Sequence, residues 1–400
     1  MQSADIAVVG AGPAGLTAAL CLAHAGRRIL LIAPPEPDRK PDRRTTALLG
    51  GSVHLLENLG VWTSLAARAA PLEGIRLVDD RNSLFPAPEL TFRAAEIGAA
   101  SFGANVENQD LVAALLAAVA SAPAVTRREA SVAAVEAGPT GLRLLLDTGE
   151  TVDARLAIAA DGRNSLIRKA AGIDVRTWSY PQAALAVSFS HSREHGHVST
   201  ELHRRNGPFT VVPLAGRRSS LVWVESPSRA QALAALPASA LARVIEDELQ
   251  GLLGAVTDLG HRGVFPLSGL TAASMGARRT ALVGEAAHVM PPIGAQGLNL
   301  GFRDAAAIAE LVAEAASDGS DPGSDVLLAR YHRARMSDVL VRQASIDALN
   351  RSLLSDLLPV QALRGAGFHL LARVAPLRDF VMRAGLGPTA LPPLMRQHVA

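Results

Sequence analysis

The sequence has very few cysteines and lysines, and both scarcities restrict what the protein can be. Cys21 is the one cysteine among 400 residues, so the chain can form neither an internal disulfide nor a cysteine-based metal cluster. Because Cys21 falls inside a helical pattern, we predict that it packs in the core. The 39 basic residues, nearly all arginine, balance 37 acidic ones to a net charge of +2. This balance indicates no nucleic-acid partner, which would require a concentrated basic face.

The sequence also lacks a long hydrophobic run. The longest apolar stretch, residues 111–125, is broken by Ser121 and Pro123. It falls short of the roughly 20 apolar residues that a transmembrane helix requires. A strand-like run already begins at Asp5, which does not fit a signal peptide. We therefore expect a cytoplasmic protein.

The first 33 residues have the pattern of a βαβ unit. An apolar run at residues 6–9 is followed by a glycine-rich turn, a helical stretch that Gly26 ends, and a second strand at residues 29–32. The turn reads Gly10, Ala11, Gly12, Pro13, Ala14, Gly15. A pyrophosphate at such a helix N-terminus meets unpaired backbone N–H groups and the positive end of the helix dipole. The GxGxxG pattern alone is weak evidence, but between a strand and a helix it predicts dinucleotide binding.

One part of the dinucleotide-binding pattern is missing. An acidic residue usually ends the second strand and accepts hydrogen bonds from the adenosine ribose. Here the strand ends in Ala33, and the first acidic residue after it is Glu36. Either Glu36 reaches back to the ribose, or backbone groups and water bind the ribose instead.

The rest of the chain alternates between strand-rich and helical segments. We predict strands at 131–135, 141–146 and 151–159, then a second block whose antiparallel sheet has one face free to cover a ligand. Its strands are predicted at 183–190, 198–203, 209–212 and 219–225. Helical spacing follows at 229–253, at 301–316 and throughout the sequence after residue 327.

Related glycine-rich turns lie near residues 10, 161 and 285, far apart in the chain. This suggests one discontinuous Rossmann-like α/β domain into which the second sheet is inserted. The predicted division assigns 1–71, 96–175 and 262–327 to the nucleotide-binding domain, 72–95 and 176–261 to the sheet domain, and 328–400 to a C-terminal helical region.

Two further motifs carry polar residues next to glycines. Asp161-Gly162 ends a strand, and its structural interpretation is a turn followed by a helix cap at Ser165. The more specific motif begins with Gly284-Glu285-Ala286-Ala287-His288, continues as Pro291-Pro292-Ile293-Gly294-Ala295-Gln296-Gly297-Leu298-Asn299-Leu300-Gly301 and ends at Asp304. A strand delivers the Glu285 carboxylate where ligand hydroxyls could bond it, and a glycine-rich loop leads into a second helix N-terminus. A purely structural loop rarely needs this set of glycines.

Together these motifs resemble the single-component FAD aromatic hydroxylases, the family of p-hydroxybenzoate hydroxylase and the ubiquinone-biosynthesis ring hydroxylases. The residues Arg43-Arg44-Thr45 are similar to the family's arginine-containing flavin segment. Gln109 stands where that family usually has arginine, Glu285 where it usually has aspartate, and Ala33 replaces the ribose acid. From the last two departures we expect FAD binding to be weaker, but not lost. The likeness covers nearly the whole chain.

The resemblance implies an FAD monooxygenase that uses NAD(P)H and O2 and transfers oxygen to an electron-rich ring through a flavin C4a-hydroperoxide. It places Pro292 and Gly294 at the reactive flavin edge and implies no acid–base triad. The implied cofactor-binding residues are Gly10, Gly12, Pro13, Ala14, Gly15, Glu36, Arg43, Arg44, Thr45, Gln109, Asp161, Gly284, Glu285, Gly294, Ala295, Gln296, Gly297, Leu298 and Asn299. The expected substrate is a small aromatic, most specifically a prenylated ubiquinone precursor. The alternatives are a hydroxylase of soluble phenols or polyketides and a non-hydroxylating flavoprotein scaffold in a biosynthetic complex.

The histidines do not predict a metal site. His191, His195 and His197 cluster, but no acidic or cysteine partner has the spacing of a closed site. We expect a loop beside the substrate sheet there. His288 beside the flavin motif is expected to make structural hydrogen bonds, with proton transfer as the alternative.

The C-terminal region is basic. From residue 328 onward it contains ten arginines and four aspartates, with no lysine or glutamate, a net charge of +6 before histidine. Interleaved leucines make it a candidate face for a membrane surface or a biosynthetic complex, and a solvated helical subdomain is the alternative. A prenylated substrate taken from the bilayer would favour peripheral association with the inner face of the membrane.

Overall fold

The computed structural model describes residues 2–35, 44–81, 87–355, 357–386 and 391–397, so Glu36 and Arg43 lie outside the described residues. The strands β1 to β20 are Gln2–Val9, Ile29–Ala33, Thr45–Leu49, Ala70–Pro71, Gly74–Asp79, Leu90–Arg93, Gly103–Glu107, Val125–Glu129, Val132–Ala137, Leu142–Leu146, Thr151–Ala159, Val175–His191, Val198–Arg204, Gly207–Leu214, Arg218–Glu225, Val256–Thr257, Gly263–Ala272, Gly276–Ala277, Thr280–Leu282 and His288–Val289. The helices α1 to α11 are Pro13–His24, Gly50–Asn58, Trp62–Leu65, Asn108–Ala120, Leu166–Ala170, Pro227–Ala235, Ala238–Glu248, Gln296–Asp318, Asp325–Leu354, Leu358–Arg373 and Ala375–Leu386. The predicted α/β class is confirmed.

The first sheet is the Rossmann-like one that the opening pattern predicts. Strands β19, β11, β1, β2 and β8 lie side by side and are all parallel. Strand β1 is buried from Ile6 to Val9 because α1 and α8 cover it, which explains its continuous apolar run. Cys21 packs in this core, as predicted, and burial raises the pKa of its thiol to about 12.

The second sheet has the strand order β20-β17-β12-β15-β14-β13-β5-β6, with β16 paired to β12. Its prediction as an antiparallel sheet needs one correction, because β5 and β13 pair in parallel. Strand β5 belongs to a chain segment separate from the hairpins, so no tight turn forces it to be antiparallel to its neighbour. Strand β17, which the sequence division put with the nucleotide-binding segments, pairs with β12 in this sheet.

Helices α6 and α7 cover one face of the second sheet. The rings of Phe209 and Trp223 meet edge to face at 5.0 Å on that side, and Leu241 and Ile245 of α7 pack onto them. A third, small sheet of β3, β7 and β4 lies between the two large ones. The two large sheets therefore meet across β3 and β7, which contact the face of the second sheet that α6 and α7 leave free.

Helix α9 joins the two sheets. Near its start, the Tyr331 hydroxyl donates to the Leu282 carbonyl of the first sheet at 2.7 Å. Further along, the Asn350 amide donates to the Gln182 side chain of the second sheet at 2.9 Å. Helices α10 and α11 then pack on β6 through Phe368. No helix among the described residues is both long enough and apolar enough to cross a bilayer.

A buried ionic network ties α9 to α8. Asp338 accepts hydrogen bonds from three guanidinium groups, those of Arg303 at 3.1 Å, Arg335 at 3.0 Å and Arg342 at 2.9 Å. Burial raises the pKa of the Asp338 carboxyl, but the three cations outweigh it and hold that pKa at about 2. The carboxylate is therefore ionised in the folded protein over the whole neutral range.

Replacing Asp338 with asparagine should destabilise the fold by about 3–5 kcal/mol at pH 7, because three buried cations lose their counter-charge. The pKa of Asp338 is depressed on folding, so its stabilisation is present above the unfolded value near 4 and is lost as the pH falls towards 2. Urea unfolding at pH 7 and pH 3 measures both effects. The control is Asp379→Asn, which removes an exposed pair with Arg383 and should cost under about 1 kcal/mol. Equal stability of the two variants at pH 7 would contradict the prediction.

Candidate functional site

Two glycines of the first turn are required by packing. A Cβ on Gly10 would lie 2.2 Å from the Ala160 carbonyl oxygen, and the φ of Gly10 is +110°. A Cβ on Gly15 would lie 2.0 Å from the Gly10 carbonyl oxygen. These glycines let α1 approach β1 and the end of β11 closely, as the motif predicts.

Gly12 has a different role, because it faces open space. A Cβ built on it meets nothing within 4 Å, and its φ of −73° and ψ of 172° suit any residue. It precedes Pro13 at the first turn of α1, whose N-terminus has no side-chain cap. The amide groups that follow Pro13 are therefore available to an anionic ligand.

The Asp161 carboxylate makes structural hydrogen bonds and also has an oxygen that is available to a ligand. One carboxylate oxygen of Asp161 accepts from the backbone N–H of Leu166 at 2.8 Å, and Ser165 caps the same helix, α5, through the Arg168 N–H at 2.9 Å. The structural interpretation as a turn with a cap is therefore confirmed. The other oxygen, Oδ1, is buried without a partner among the described residues. A buried carboxylate oxygen of this kind fits a ligand hydroxyl.

The third motif meets the first at the N-terminus of α1. Gly284, with a φ of +62°, lies so close to α1 that a Cβ on it would be 3.0 Å from the Ala14 Cβ. Gly301 of α8 packs against the same point. Glu285 follows with an exposed side chain. The structure therefore brings Gly284, and with it the backbone of Glu285, next to the glycine turn, although 270 residues separate them.

The loop before α8 is shaped by left-handed backbone. Gly294 has a φ of +65° and Ala295 a φ of +54°, and Ala295 is the residue before the first turn of α8. Pro292, Gly294 and Gly297 are exposed. A Cβ on either of these two glycines would meet open space. The loop therefore presents bare backbone, which can approach a planar ring closely.

Asn299 is fully buried, and its side chain is used inside the protein. Its Nδ2 donates to the carbonyls of Ala47 at 2.8 Å and Ala295 at 2.6 Å. Its Oδ1 accepts from the Leu49 N–H at 2.8 Å and the Ser52 hydroxyl at 2.6 Å. Asn299 thus fixes the loop to β3 and α2, and only its backbone is left for a ligand, as for the half-buried Leu298.

The arginine-containing segment and the start of α4 lie side by side between the two large sheets. The Arg44 guanidinium lies 4.9 Å over the ring of Phe265, and the Arg44 carbonyl accepts from the Asn108 N–H at 2.8 Å. Gln109 donates to Glu107 at 2.7 Å. The Thr45 hydroxyl donates to Ser220 of the second sheet at 2.8 Å. These predicted residues therefore border the gap between the sheets.

Sequence reasoning missed the part that α9 plays. Arg342 donates to the side-chain Oε1 of Gln296 at 2.7 Å, and the Gln296 Nε2 donates to the backbone carbonyl of Gly294 at 2.9 Å. Arg335 donates from Nε to Asp304 at 2.8 Å. The spacing of Arg335 and Arg342 from Asp338 is that of ordinary helix ion pairs. Their other partners, Asp304 and Gln296, lie far away in the chain, so nothing in the local pattern distinguishes these arginines from solvated ones.

His288 makes structural hydrogen bonds, as expected. Its Nε2 lies 2.7 Å from the Asp304 carboxylate, and both side chains are buried. In the other cluster, the His191 Nδ1 bonds the Arg193 carbonyl, and the His195 Nε2 bonds the carbonyls of Leu214 and Gly216. No group of histidine, cysteine or carboxylate residues able to hold a metal ion occurs among the residues that the structure describes.

A family model described as an FAD binding domain matches residues 3–343. The chain belongs to this FAD-binding family. Its cofactor is therefore FAD, which supplies the redox chemistry when bound. The uncapped α1, the open space at Gly12 and the unpartnered Asp161 oxygen fit the pyrophosphate and ribityl parts of that cofactor.

Relatives are similar over nearly their whole length. The ubiquinone hydroxylase UbiL of Rhodospirillum rubrum is 36% identical, with 98% of this chain and 91% of the relative covered. The 3-demethoxyubiquinol 3-hydroxylase of Escherichia coli K12 is 33% identical, with 96% and 99% covered. Among solved structures, p-nitrophenol 4-monooxygenase PnpA from Pseudomonas putida superposes with a TM-score of 0.78 at 18% identity, covering 98% of this chain and all of that one. This last likeness supports the fold.

Gly12 borders open space and Gly15 is tightly packed, so replacing each with alanine should affect different properties of the protein. Gly12→Ala should leave the melting temperature of the FAD-free protein within a few degrees of wild type, because the Cβ has room. It should weaken FAD binding about tenfold or more, since the methyl group enters the phosphate site.

Gly15→Ala is the matched comparison and should lower the melting temperature of the FAD-free protein, because its Cβ meets the Gly10 carbonyl. Thermal unfolding of the FAD-free proteins and fluorescence titration with FAD measure the two properties. Unchanged FAD affinity in Gly12→Ala would show that the pyrophosphate binds elsewhere.

Proposed function

We propose that the protein is a monooxygenase that uses NAD(P)H and O2 to hydroxylate the aromatic ring of a ubiquinone precursor. The observation that carries the proposal is full-length similarity, at 33–36% identity, to two enzymes named as ubiquinone or demethoxyubiquinol hydroxylases. The arrangement of the site supports it. The three FAD motifs converge on one side of the gap between the sheets, and the free face of the second sheet forms the other side.

In this proposal, each group of residues predicted from the sequence contacts a different part of FAD. Gly10, Gly12, Gly15 and the amides after Pro13 bind the pyrophosphate, and Asp161 and Glu285 accept hydrogen bonds from ribityl or phosphate hydroxyls. Arg44, Thr45 and Gln109 lie along the flavin, and Arg43 and Glu36 keep their predicted roles. Pro292 and Gly294 face the reactive edge, and the backbone N–H groups of Ala295 to Asn299 face the pyrimidine end. The predicted discontinuous domain division, with β17 moved to the sheet domain, is part of the same proposal.

A large cavity supports a lipid-like substrate. It has a volume of about 2070 Å³ and lies between α2, residues 97–104, α9 and α11. Its wall includes Ile293 and Gly294 of the flavin-edge loop. Apolar side chains such as Leu349 and Phe380 also line it. We assign this cavity to the prenyl tail of the substrate, because it is far larger than a ring needs and borders the flavin-edge loop.

The proposed hydroxylation is tested with the purified, FAD-loaded protein. A prenylated phenol should stimulate NAD(P)H oxidation and gain 16 mass units (one oxygen atom), because flavoprotein monooxygenation inserts one atom of O2. Expression in bacteria that lack individual quinone-ring hydroxylases should restore one missing step, identified by mass spectrometry of the accumulated intermediates. Restoration of none would count against the ubiquinone precursor. Hydroxylation of unprenylated phenols alone would indicate a hydroxylase of soluble phenols. Binding of FAD with neither NAD(P)H oxidation nor hydroxylated product would indicate a scaffold protein.

Peripheral membrane association is supported by exposed apolar side chains. Most of the C-terminal arginines that suggested it are paired with acids, as Arg378 is with Glu96 and Arg351 with Asp347. The helices α10 and α11 instead expose Leu363 at 76%, Leu370 at 52% and Phe380 at 67%. Exposed large side chains grouped on two neighbouring helices are typical of an interaction surface. We assign that surface to the cytoplasmic face of a membrane, where a prenylated substrate would be found.

If this surface of α10 and α11 contacts the membrane, replacing its exposed apolar side chains should weaken binding to phospholipid vesicles. The variant Leu363→Ser, Leu370→Ser, Phe380→Ser should float with anionic phospholipid vesicles several-fold less than wild type, because each serine removes apolar area from the lipid contact. Val326→Ser is the matched control, since Val326 is 74% exposed but lies at the start of α9. Flotation on a density gradient measures binding. Equal flotation of the triple variant and wild type would exclude this surface as the membrane contact.

A further inference from the structure

An open strip crosses the second sheet on the face opposite α6 and α7. It consists of Ala186, Val222, Thr210 and Glu201, which are paired directly across β12, β15, β14 and β13. Directly paired residues project to the same face of a sheet. All four are half-buried. Space is therefore left over the middle of this sheet.

The strip faces the FAD-binding region. Ser220, two residues from Val222 and so on the same face, accepts the hydrogen bond from Thr45 at 2.8 Å. Arg218, two residues further along, pairs with Glu107 at 2.8 Å. On the other side of the strip, Phe265 lies under the Arg44 guanidinium. Contacts with the FAD region therefore border the strip on two sides, and the strip covers the gap where the flavin ring is proposed to lie.

The strip ends in a carboxylate that the protein holds in one position. A Glu201 oxygen lies 2.7 Å from the His203 Nε2, and the other accepts from the Thr210 hydroxyl at 3.2 Å. His203 is 2% exposed, and its Nδ1 is buried without a hydrogen-bond partner among the described residues. Asp79 of β5 is paired in register with His203, and the ring of Phe368 from α10 packs on it at 5.9 Å.

This carboxylate is a base that stays ionised. Burial raises the pKa of Glu201, but the hydrogen bond and charge of His203 and the hydroxyl of Thr210 outweigh it, so the pKa lies below its ordinary value. Neither Glu201 nor His203 belongs to the FAD motifs, and both lie on the sheet that faces them. A half-buried carboxylate held by a buried histidine on the face that borders the FAD region has the makeup of an acid–base group.

We propose that Glu201 is the proton acceptor for the ring hydroxyl of the aromatic substrate. This rests on the proposed hydroxylation. The two electrons of NAD(P)H reduce O2 to the peroxide level. As the ring carbon bonds one of the two oxygen atoms, the O–O bond breaks and the other oxygen leaves as hydroxide, which the proton later released by the ring converts to water. In the same step the phenolic O–H bond breaks and its proton bonds to the Glu201 carboxylate. The electron pair of that bond moves into the ring, which makes the ring a better nucleophile. The ring carbon then releases its hydrogen as a proton to the hydroxide, and Glu201 returns its proton to the phenolic oxygen, which restores the aromatic ring. His203 and Thr210 are positioning residues that orient the carboxylate.

The test compares Glu201→Gln with Glu225→Gln in FAD-loaded protein. Glu225 is a glutamate on the adjacent strand β15 that bonds Asn206 and the Ser226 N–H, so it is a matched control outside the strip. With a 2-prenylphenol, Glu201→Gln should lower the kcat for hydroxylated product by about 10²-fold or more with little change in KM. NAD(P)H oxidation should continue and yield hydrogen peroxide instead. Thr210→Val should give a smaller loss, and Glu225→Gln should match wild type.

A second readout does not depend on turnover. The visible phenolate band of bound 4-nitrophenol gives the pKa of its hydroxyl in each protein. That pKa should be lower in Glu201→Gln than in wild type, because removing a neighbouring negative charge favours the phenolate. An unchanged pKa, or product formation within twofold of wild type, overturns the proposal. If wild type makes no hydroxylated product, the proposed function fails, while the 4-nitrophenol shift still decides whether Glu201 lies beside the ring hydroxyl.

Discussion

The structure depends on the buried carboxylate of Asp304. One of its oxygens accepts from the Gly284 N–H at 3.1 Å and lies 2.7 Å from the His288 Nε2, and the other accepts from the Arg335 Nε at 2.8 Å. Asp304 is fully buried, so the carboxylate must be paired to remain charged. Burial raises the pKa of Asp304, but the charges of His288 and Arg335 lower it below its ordinary value. A single side chain thus joins the end of β19, helix α8 and helix α9.

The same helix α9 holds the other end of the glycine-rich segment that is proposed to lie at the flavin edge. Beyond Arg335, Asp338 pairs with Arg342, and Arg342 bonds Gln296, whose amide bonds the Gly294 carbonyl. The segment from residue 284 to residue 296 is therefore fixed at both ends by groups on one rigid element. Because bare glycine backbone has little intrinsic preference for one conformation, such external hydrogen bonds are what keep its shape. The C-terminal region is for this reason part of the cofactor-binding structure and not an appendage to it.

Structure could be predicted from the sequence where neighbouring residues determine it. It could not be predicted where it depends on contacts between residues far apart in the chain. The turn at Gly10 to Gly15, the βαβ unit around it and the predicted strands of the second sheet follow from glycine spacing and apolar runs, which neighbouring residues determine. Strands β3, β5, β7 and β17 were not predicted, and the helical segment predicted at 229–253 is divided into α6 and α7. The parallel pairing of β5 and the bonds of Arg335 and Arg342 depend on long-range packing, which a local pattern does not contain. The C-terminal arginines show the limit most clearly. Their count suggested a basic surface, whereas among the described residues six of the ten pair with acids, three of them on other elements and three within their own helix.

Glu201 and His203 were missed for a related reason. Polar residues two apart on a strand share a face, but only the fold shows that this face turns towards Thr45 and Arg44 and not towards solvent. The opposite face of the same strands is packed by α6 and α7 and is apolar, whereas the free face carries Glu201, His203 and Ser220 beside a small apolar cluster around Ala184 and Val224. The free face can exclude bulk water only if something closes it, and Phe368 of α10 does so beside His203. Helix α10, whose exposed leucines belong to the proposed membrane contact, therefore also borders the strip, which connects the proposed uptake of the substrate tail to the chemistry proposed for its ring.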